Sequence, residues 1–268
     1  MRPATAAPTA VHREDTDDRQ FVIALARGLS VLQAFGQGDD LLTNAEIAHR
    51  ARLPKATITR LTYTLCKLGY LARDAAGMGY RLDPHILTLG FPVLARLGVR
   101  QLARPLMQAL AEQEGLTVSM GLRDGAHMIY VERVRSSAPV VLQQDIGTRI
   151  PIATTALGRA YLAGLPVPER AALLEELRAT SPAGVWPVVK KGVERELARH
   201  RRTGYCFGGG WDPEITGVAV PLDLPGRTLL SLSCAGARAD LPDARLAAIG
   251  ERLNDIVRRI SLAQGTRL

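Results

Sequence analysis

The sequence predicts an α+β protein of two domains, in which a winged helix-turn-helix is followed by a linker helix and a larger domain of mixed strands and helices. Three observations predict this fold class. The 268 residues exceed the length of one typical domain. Apolar residues at helical spacing dominate the first third of the chain, whereas strand and helix patterns alternate after about residue 99. Apolar residues make up 47% and charged residues 22% of the chain, which is a globular composition.

The chain begins with a polar tail and two predicted helices. Residues 1–20 are rich in Ala, Pro, Thr and Asp and lack apolar periodicity, so we expect a disordered tail. Residues 21–35 carry apolar side chains at mostly helical spacing and predict the first helix. A second helix over 45–51 follows a competent N-cap, which is either Thr43 or Asn44.

A third helix and a hairpin complete the predicted winged helix-turn-helix. Pro54 can open a helix over 54–68, because proline is tolerated in the first turn, and Gly69 suits the position after its end. Two short helices joined by a brief turn are typical of a helix-turn-helix. Strand-like segments at 70–73 and 80–82 flank a glycine-containing turn, which predicts a wing.

The remaining segments predict a linker helix and the larger domain. We therefore place the winged helix-turn-helix at 21–83, the linker helix at 84–98 and the larger α/β domain at 99–268. Pro92 lies inside the linker pattern and can kink that helix. In the larger domain the patterns predict helices over 100–114, 155–163, 168–178, 190–202 and 242–262, and strands over 117–122, 128–134, 140–144, 215–222 and 228–234.

The charge distribution suits a polyanionic partner. The net charge is +8, from 34 Lys and Arg against 26 Asp and Glu. Residues 44–81 contain seven Lys or Arg against only Glu46 and Asp74, which gives this segment a local charge of +5. The excess positive charge is therefore concentrated on the predicted helix-turn-helix and wing, as nucleic-acid binding requires.

The cysteines and the apolar runs exclude other classes. Cys66, Cys206 and Cys234 are odd in number and widely spaced, so they form neither a disulfide framework nor a metal-binding spacing. No run approaches the roughly 20 apolar residues of a membrane span, and residues 1–10 lack the apolar core of a signal peptide. We expect a cytoplasmic protein with no metal, no cofactor and no membrane partner.

The third helix has two chemically different faces. Its predicted buried stripe consists of Ile58, Leu61, Leu65 and Leu68. The opposite face carries Ala56, Thr59, Arg60, Tyr63 and Lys67, with Lys55 and Thr57 at the amino end. A recognition helix needs this mixture, because small residues allow close approach while hydroxyl, guanidinium and ammonium groups reach base edges or phosphates.

Residues next to the third helix extend the predicted DNA-binding set. They are Thr43 and Asn44 before the second helix, and Arg73 and Arg81 on the wing. The alternative is that the polar face is only solvated, in a module that binds protein. The preceding helix, the wing and the local charge together favour DNA recognition.

Several motifs occur in the order found in IclR-type transcription regulators. In the first half they are ARGLSVL at 26–32, LPKATITRL at 53–61, LGYL at 68–71, YRL at 80–82 and LTLG at 87–90. In the second half they are GTRIP at 147–151, ALGRA at 156–160, GYC at 204–206 and VAVP at 218–221. The chain thus resembles this family from residue 21 onward. The resemblance implies a GAF-like effector-binding domain, a small-molecule effector, and homodimers or homotetramers on palindromic operators of duplex DNA.

The resemblance also implies a place for the effector. The family's pocket uses a loop that here consists of Thr154, Thr155, Ala156, Leu157 and Gly158. It also uses small hydroxyl residues on a strand, here Ser231 and Ser233. These two serines alternate, so both hydroxyls point to one side, where they bind either a ligand or the backbone.

Two positions depart from relatives that bind small carboxylates. Those relatives place an acidic residue where this chain has glycines 208–210 before Trp211, and a cysteine where it has Gly217. The difference argues against a glyoxylate-like effector. Trp211 either stacks on an aromatic or apolar ligand or fills a packing gap. Trp211 and Gly217 complete the expected effector-binding set.

An enzyme is the main rival hypothesis. Cys206 could act as a nucleophile with His127 or His200 as its base, although a lone cysteine on an apolar strand is more often inert. The sequence contains no G-x-S-x-G elbow, P-loop or H-E-x-x-H motif. We therefore expect a transcription regulator and not an enzyme.

Overall fold

The computed structural model of the chain describes residues 19–137, 144–209, 212–224 and 228–265. It forms two compact units that divide after Arg96. In the described residues no single helix is long and apolar enough to cross a membrane, although Pro84–Arg96 and Val99–Glu114 reach that length and composition as a broken pair. Most of the predicted tail over 1–20 and of the predicted strand over 140–144 lies outside the described residues.

The N-terminal unit contains three helices, a hairpin and a further helix. The elements are α1 (Ile23–Gln33), α2 (Asn44–Ala51), α3 (Lys55–Lys67), β1 (Leu71–Arg73), β2 (Tyr80–Leu82), a 3-10 turn (Pro84–Ile86) and α4 (Leu87–Arg96). The predicted helix-turn-helix and wing are confirmed. The predicted linker helix is shorter than expected, because its first turn is of the 3-10 type.

Helix α2 begins with a reciprocal cap. The Thr43 hydroxyl accepts a hydrogen bond from the Glu46 N–H at 3.2 Å, and the Glu46 carboxylate accepts from the Thr43 N–H at 2.8 Å. This capping box identifies Thr43, and not Asn44, as the N-cap. The hydrogen bonds from Thr43 lower the pKa of Glu46, since they favour its ionised form.

The buried stripe of α3 differs from the predicted stripe at its carboxyl end. Ile58 is fully buried and Leu65 is 8% exposed, as expected, but Leu68 is 58% exposed. Leu68 is the C-cap residue, so it leaves the helical period. Thr62 takes an inner position instead, and its hydroxyl donates to the Ile58 carbonyl at 2.9 Å. A hydroxyl that bonds to its own helix can be buried at little cost.

The core of the N-terminal unit joins the helices to the wing. It is formed by Val31, Ala34, Leu42, Ile47, Ala48, Ile58, Leu65 and Leu71. β1 and β2 pair antiparallel, with Leu71 opposite Leu82. Leu42, which precedes α2, forms an additional bridge to Tyr80 on β2. The wing is therefore anchored at both ends of the helix-turn-helix.

The C-terminal unit is one antiparallel sheet covered by helices. Its elements are α5 (Val99–Glu114), β3 (Thr117–Asp124), β4 (His127–Arg135), β5 (Arg149–Pro151), α6 (Ala156–Gly164), α7 (Val167–Thr180), α8 (Trp186–Thr203), β6 (Cys206–Gly208), β7 (Ile215–Leu222), β8 (Leu230–Ala237), a 3-10 turn (Arg238–Asp240) and α9 (Asp243–Ala263). The strand order is β5-β4-β3-β8-β7-β6. The predicted α+β fold is confirmed.

Some element bounds differ from the sequence predictions. β5 and β6 were not predicted, because three residues are too few to show a period of two. Helix α8 begins at Trp186, before the predicted start, since Pro187 occupies its first turn. β8 runs to Ala237, beyond the predicted end of its strand.

The two faces of the sheet pack against different helices. Met120 pairs with Glu132, and Glu132 forms ion pairs with arginines of α5. Gly121 is the next residue, and a Cβ built on it would lie 2.7 Å from the Leu157 side chain of α6. Adjacent strand residues point to opposite faces, so α5 and α6 cover opposite sides.

Candidate functional sites: an exposed basic helix and a small pocket

One face of α3 is open to solvent. Its exposed side chains are Lys55, Ala56, Thr59, Arg60, Tyr63 and Lys67, and Thr57 is half-buried. Tyr63 is 64% exposed despite its aromatic ring, and the Lys67 ammonium lies 5.6 Å from the centroid of that ring. The predicted recognition residues thus share one solvent-facing surface, in which a tyrosine and a lysine are already in contact.

The start of α2 is tied to this exposed face. The Asn44 side-chain amide donates to the Thr59 hydroxyl at 3.2 Å. The Thr59 hydroxyl in turn donates to the Lys55 carbonyl at 3.1 Å. Asn44 therefore helps to fix α3 relative to α2, while the Thr43 side chain is used in capping.

The basic residues of this unit have different roles. Arg73 and Arg81 are exposed on the wing. Arg50, by contrast, forms an ion pair with Asp39 and donates to the Ala34 carbonyl at 3.0 Å. The hydrogen bond to Asp39 raises the pKa of the Arg50 guanidinium. Arg50 therefore stabilises the loop between α1 and α2, although the sequence counts it in the local charge of the helix-turn-helix.

A cavity of about 30 Å³ lies beside the first turn of α6 in the C-terminal unit. Its polar and small lining residues are Gln144, Thr155, Thr216, Gly208, Gly217 and Ala235. The remaining lining residues are larger or apolar: Tyr130, Ile150, Ala156, Leu157 and Ile215. Mostly apolar walls with a few polar groups match the composition of small-molecule sites. At this volume the cavity holds about one water molecule, so an effector must open it further to bind there.

The loop before α6 is fixed by its own hydrogen bonds. Thr155 is the N-cap, since its hydroxyl accepts from the Gly158 N–H at 3.2 Å and donates to the Pro151 carbonyl at 2.6 Å. A Cβ on Gly158 would lie 2.1 Å from the Ile152 carbonyl oxygen, and one on Gly208 would lie 2.5 Å from the Ala156 nitrogen. These two glycines therefore allow the loop to pack closely beside the cavity.

Ser231 and Ser233 lie on the same face of β8 as Ala235, which lines the cavity. Both are buried, and neither lines the cavity. Ser233 donates to the Ser119 carbonyl at 3.5 Å, at the long limit of a hydrogen bond. The Ser231 hydroxyl is fully buried and has no hydrogen-bond partner in the described residues.

The pocket contains only part of the predicted effector-binding set. Thr155, Ala156, Leu157 and Gly217 line it, whereas Thr154 and Gly158 do not. Trp211 lies outside the described residues.

Sequence reasoning missed several lining residues, including Tyr130, Gln144 and Thr216. The first of these was detectable as an aromatic residue inside a predicted strand. Nothing in the sequence placed the other two beside α6.

Cys206 lacks the surroundings of a nucleophile. It is fully buried on β6, and its thiol donates to the Glu196 carbonyl at 3.6 Å. Burial, followed by the charge of Glu196, raises the pKa of Cys206 to about 12. Burial also lowers the pKa of both His127 and His200. Among the described residues no cluster of His, Cys, Asp or Glu could hold a metal ion.

Comparisons with known families agree with the two units. The IclR helix-turn-helix domain matches residues 24–75, and the C-terminal domain of the bacterial transcriptional regulator IclR matches residues 91–262. Together they cover most of the chain. The chain belongs to the IclR family. The resemblance and the fold predicted from the sequence are thereby confirmed.

Individual IclR-family proteins are similar over most of their length. The HTH-type transcriptional regulator TsaQ1/TsaQ2 of Comamonas testosteroni is 38% identical over 219 residues, which are 79% of this chain and 78% of the relative. The crystal structure of an IclR family regulator from Brucella abortus is 42% identical, with a TM-score of 0.77, and the match covers 92% of this chain and 94% of that one.

A further solved structure is an IclR homolog from Microbacterium hydrocarbonoxydans in complex with 4-hydroxybenzoate. It is 23% identical, with a TM-score of 0.71, over 89% of this chain and 98% of that chain. This likeness shows the fold. The present protein is thus an IclR-type transcription regulator, with an N-terminal DNA-binding domain and a C-terminal effector-binding domain.

Proposed function

We propose that this regulator reads a palindromic operator with the exposed face of α3. The observation that carries the proposal is the continuous solvent-facing row of Thr59, Arg60, Tyr63 and Lys67, opposite the buried Ile58. A helix of this kind fits the major groove, where side chains meet base edges. We place the DNA-binding domain at 21–83, the linker helix at 84–98 and the effector-binding domain at 99–268.

The DNA-binding residues divide by chemistry. Arg60 and Thr59 suit base edges, because a guanidinium binds guanine in a bidentate manner and a hydroxyl can donate or accept. The small or short residues Ala56 and Thr57 allow the amino end of α3 to approach the groove. Contacts to the sugar-phosphate backbone are proposed for Thr43, Asn44, Lys55, Tyr63, Lys67, Arg73 and Arg81.

The proposed oligomer is a homodimer or homotetramer. Apolar side chains are exposed on α1, where Leu25 is 63% and Leu29 is 47% exposed, and on α4, where Leu87 is 70% and Phe91 is 69% exposed. Exposed apolar stripes on two helices of a DNA-binding unit suit a second copy of the same unit. A symmetric dimer then matches the symmetry of a palindrome.

The proposed effector site is the pocket beside α6. The loop 154–158, Gly217 and the partly unsatisfied pair Ser231 and Ser233 belong to it, and Trp211 is proposed as a further wall. Support comes from the mostly apolar lining with Thr155 and Thr216, from the unpartnered Ser231 hydroxyl on the neighbouring strand face, and from the glycines that bring backbone close to the cavity. The 4-hydroxybenzoate seen with a structural relative makes an aromatic acid a suitable first test compound.

We also propose that the protein is cytoplasmic and acts without catalysis. The raised pKa of Cys206 and its burial argue against a nucleophile. The free cysteines at 66, 206 and 234 suit a reducing compartment. Membership of a family of transcription regulators agrees with both statements.

The test combines a gel shift with sedimentation. The full chain is titrated onto the DNA upstream of its own gene, with random duplex as the competitor, and its mass is measured by analytical ultracentrifugation. We expect a salt-dependent complex, a palindromic footprint and a dimer or tetramer. A monomer that protects a single half-site would contradict the oligomer, and equal binding to random duplex would contradict sequence-specific recognition.

A further inference from the structure

The most unusual polar group of the C-terminal unit is the side chain of Arg133 on β4. This residue is only 7% exposed, and none of its three guanidinium nitrogens has a hydrogen-bond partner in the described residues. A buried charge normally has a counter-charge and hydrogen bonds, since an unpaired charge is strongly destabilised away from water. Within the described residues, Arg133 therefore lacks the hydrogen-bond partner that its buried position requires.

Glu132, the residue before Arg133, is a buried charge that does have ion-pair partners. Glu132 points to the opposite face of the sheet, where Arg100 binds it at 3.0 Å and Arg104 at 2.5 Å. The chain thus pairs this buried carboxylate with two cations, as it does for the buried Glu196. On the other face Arg133 forms no ion pair within the described residues, and Asp145, whose charge acts on it, is paired with Arg135.

Arg133 points toward the effector pocket. In the sheet register Arg133 lies opposite Ser119, and Ser119 lies opposite Ser233 on β8, so these three side chains share the face that α6 covers. The guanidinium carbon is 5.0 Å from the ring centroid of Tyr130, and Tyr130 lines the cavity. The Arg133 head group is therefore not itself a lining residue of the cavity, but it packs against Tyr130, which is one.

The contact with Tyr130 does not satisfy Arg133. An aromatic face attracts a cation, but it accepts none of the in-plane N–H bonds that a guanidinium offers. Burial lowers the pKa of Arg133, because it destabilises the charged guanidinium. A second donor without a partner, the fully buried Ser231 hydroxyl, lies on the same face of the sheet.

We infer that the effector carries a carboxylate and that Arg133 binds this carboxylate, with the Ser231 hydroxyl as a second donor. The inference rests on the proposed effector pocket and names the chemistry of its ligand. One guanidinium neutralises one carboxylate in a bidentate pair. A phosphate dianion would keep excess negative charge in a site with one unpaired arginine. The amino end of α6, which lines the cavity, further favours an anion.

The test is a thermal-shift comparison of acids with their neutral amides. The probes are 4-hydroxybenzoate, benzoate and pyruvate, each matched with its amide at equal ionic strength. We expect at least one acid, and not its amide, to raise the Tm of the wild-type chain. Arg133→Met should raise the Kd for that acid at least about tenfold, and Arg133→Lys should raise it less. Arg123→Met, which removes an arginine paired with Glu176, is the matched control and should keep the wild-type Kd.

Several results would overturn the assignment. The first is that an acid and its amide raise the Tm equally, and the second is that none of the three acids raises it. The third is that Arg133→Met keeps the wild-type Kd for the acid. Arg133→Met should also leave the ligand-free Tm unchanged or raised, since it removes an unpaired charge. A large fall in that Tm would assign Arg133 a structural role instead. If Arg133→Met does not fold, Arg133→Lys and Arg133→Gln provide the same comparison.

A parallel DNA-binding assay separates this inference from the proposed function. Ligand-free Arg133→Met should bind operator DNA as the wild type does. In one outcome the wild type fails to bind DNA while the rise in Tm with the acid still depends on Arg133. That result would contradict the proposed function and support the carboxylate site. If only a neutral compound raises the Tm, in a way that depends on Ser231 and Ser233, the pocket stands and the role of Arg133 is rejected.

Discussion

The amide of Asn44 and the hydroxyl of Thr59 form a hydrogen bond of 3.2 Å that joins the first helix of the helix-turn-helix to the exposed face of the second. The bond connects residues 15 positions apart, so it constrains the angle between α2 and α3. The sequence predicted both residues as DNA contacts. The structure gives them a mutual contact as well, which orients the recognition helix before DNA is bound.

A double-mutant cycle measures this contact. Asn44→Ala and Thr59→Val should each lower the free energy of unfolding by about 1 kcal/mol or less, and the double mutant should lose less than their sum, because the shared bond is removed once. Chemical denaturation of the full chain provides the values. Thr64→Val is the control partner, since the Thr64 hydroxyl donates to the Arg60 carbonyl and does not contact Asn44. Strict additivity of the Asn44 and Thr59 variants would disprove the coupling.

Substitution of Arg60 and substitution of Lys67 should affect DNA binding in different ways. Arg60→Ala should weaken specific binding by roughly 1 to 3 kcal/mol, because a guanidinium that reads a base carries sequence information. Lys67→Ala should weaken binding to all duplexes similarly. It should also reduce the slope of log K against log salt concentration by about one unit. Fluorescence anisotropy on operator and random DNA at several salt concentrations separates the two effects. Equal loss of specific and random binding in Arg60→Ala would remove its base-reading role.

Removing the two serine hydroxyls of β8 should weaken effector binding more than it lowers the stability of the fold. The Ser231 hydroxyl has no partner in the described part of the chain, and the Ser233 bond is long, so removing both hydroxyls should change stability little. The Ser231→Ala, Ser233→Ala double mutant should keep its gel shift without effector but need at least roughly tenfold more effector for the same response. Ser261→Ala is the control, since this buried serine donates to the Val257 carbonyl on α9. An unchanged dose-response in a folded double mutant would place the pocket elsewhere.

Thiol titration tests the proposed absence of a cysteine nucleophile. Burial raises the pKa of Cys206 and of Cys234 to about 12, so at pH 8 only about one part in ten thousand of each is thiolate. Burial also raises the pKa of Cys66, which is half-buried. With a disulfide reagent at pH 8, we expect at most one slow thiol per native chain and three in denaturant. Rapid labelling that Cys206→Ser abolishes would restore the enzyme hypothesis.

The sequence predicted the fold well where periodicity was long. The strand over 215–222 agrees with β7 in both bounds, and the final helix is shifted by one residue. Short elements such as β5 and β6 were missed because three residues show no period. Leu68 was wrongly placed in the core, since spacing alone does not show that the helix ends one residue earlier.

The sites were predictable only in part. Helical spacing predicted the exposed face of α3, whereas the loop 154–158 was implied only by the family resemblance. Whether the Arg133 guanidinium finds a partner depends on which strands become neighbours, and in the described residues it finds none. Its sequence context shows only charged residues on a predicted strand. A missing partner is visible only after the whole chain is folded.

Selection of duplexes from a random library by the full-length protein, followed by sequencing, tests the central claim most directly. Sequence-specific recognition by α3 in a symmetric oligomer predicts an enriched palindrome whose half-sites are about one helical turn, or a multiple of it, apart. Arg60→Ala should lose that enrichment at a defined position of each half-site while it still binds DNA at low salt. Recovery of no motif above the unselected library, by a folded wild-type protein, would contradict the account.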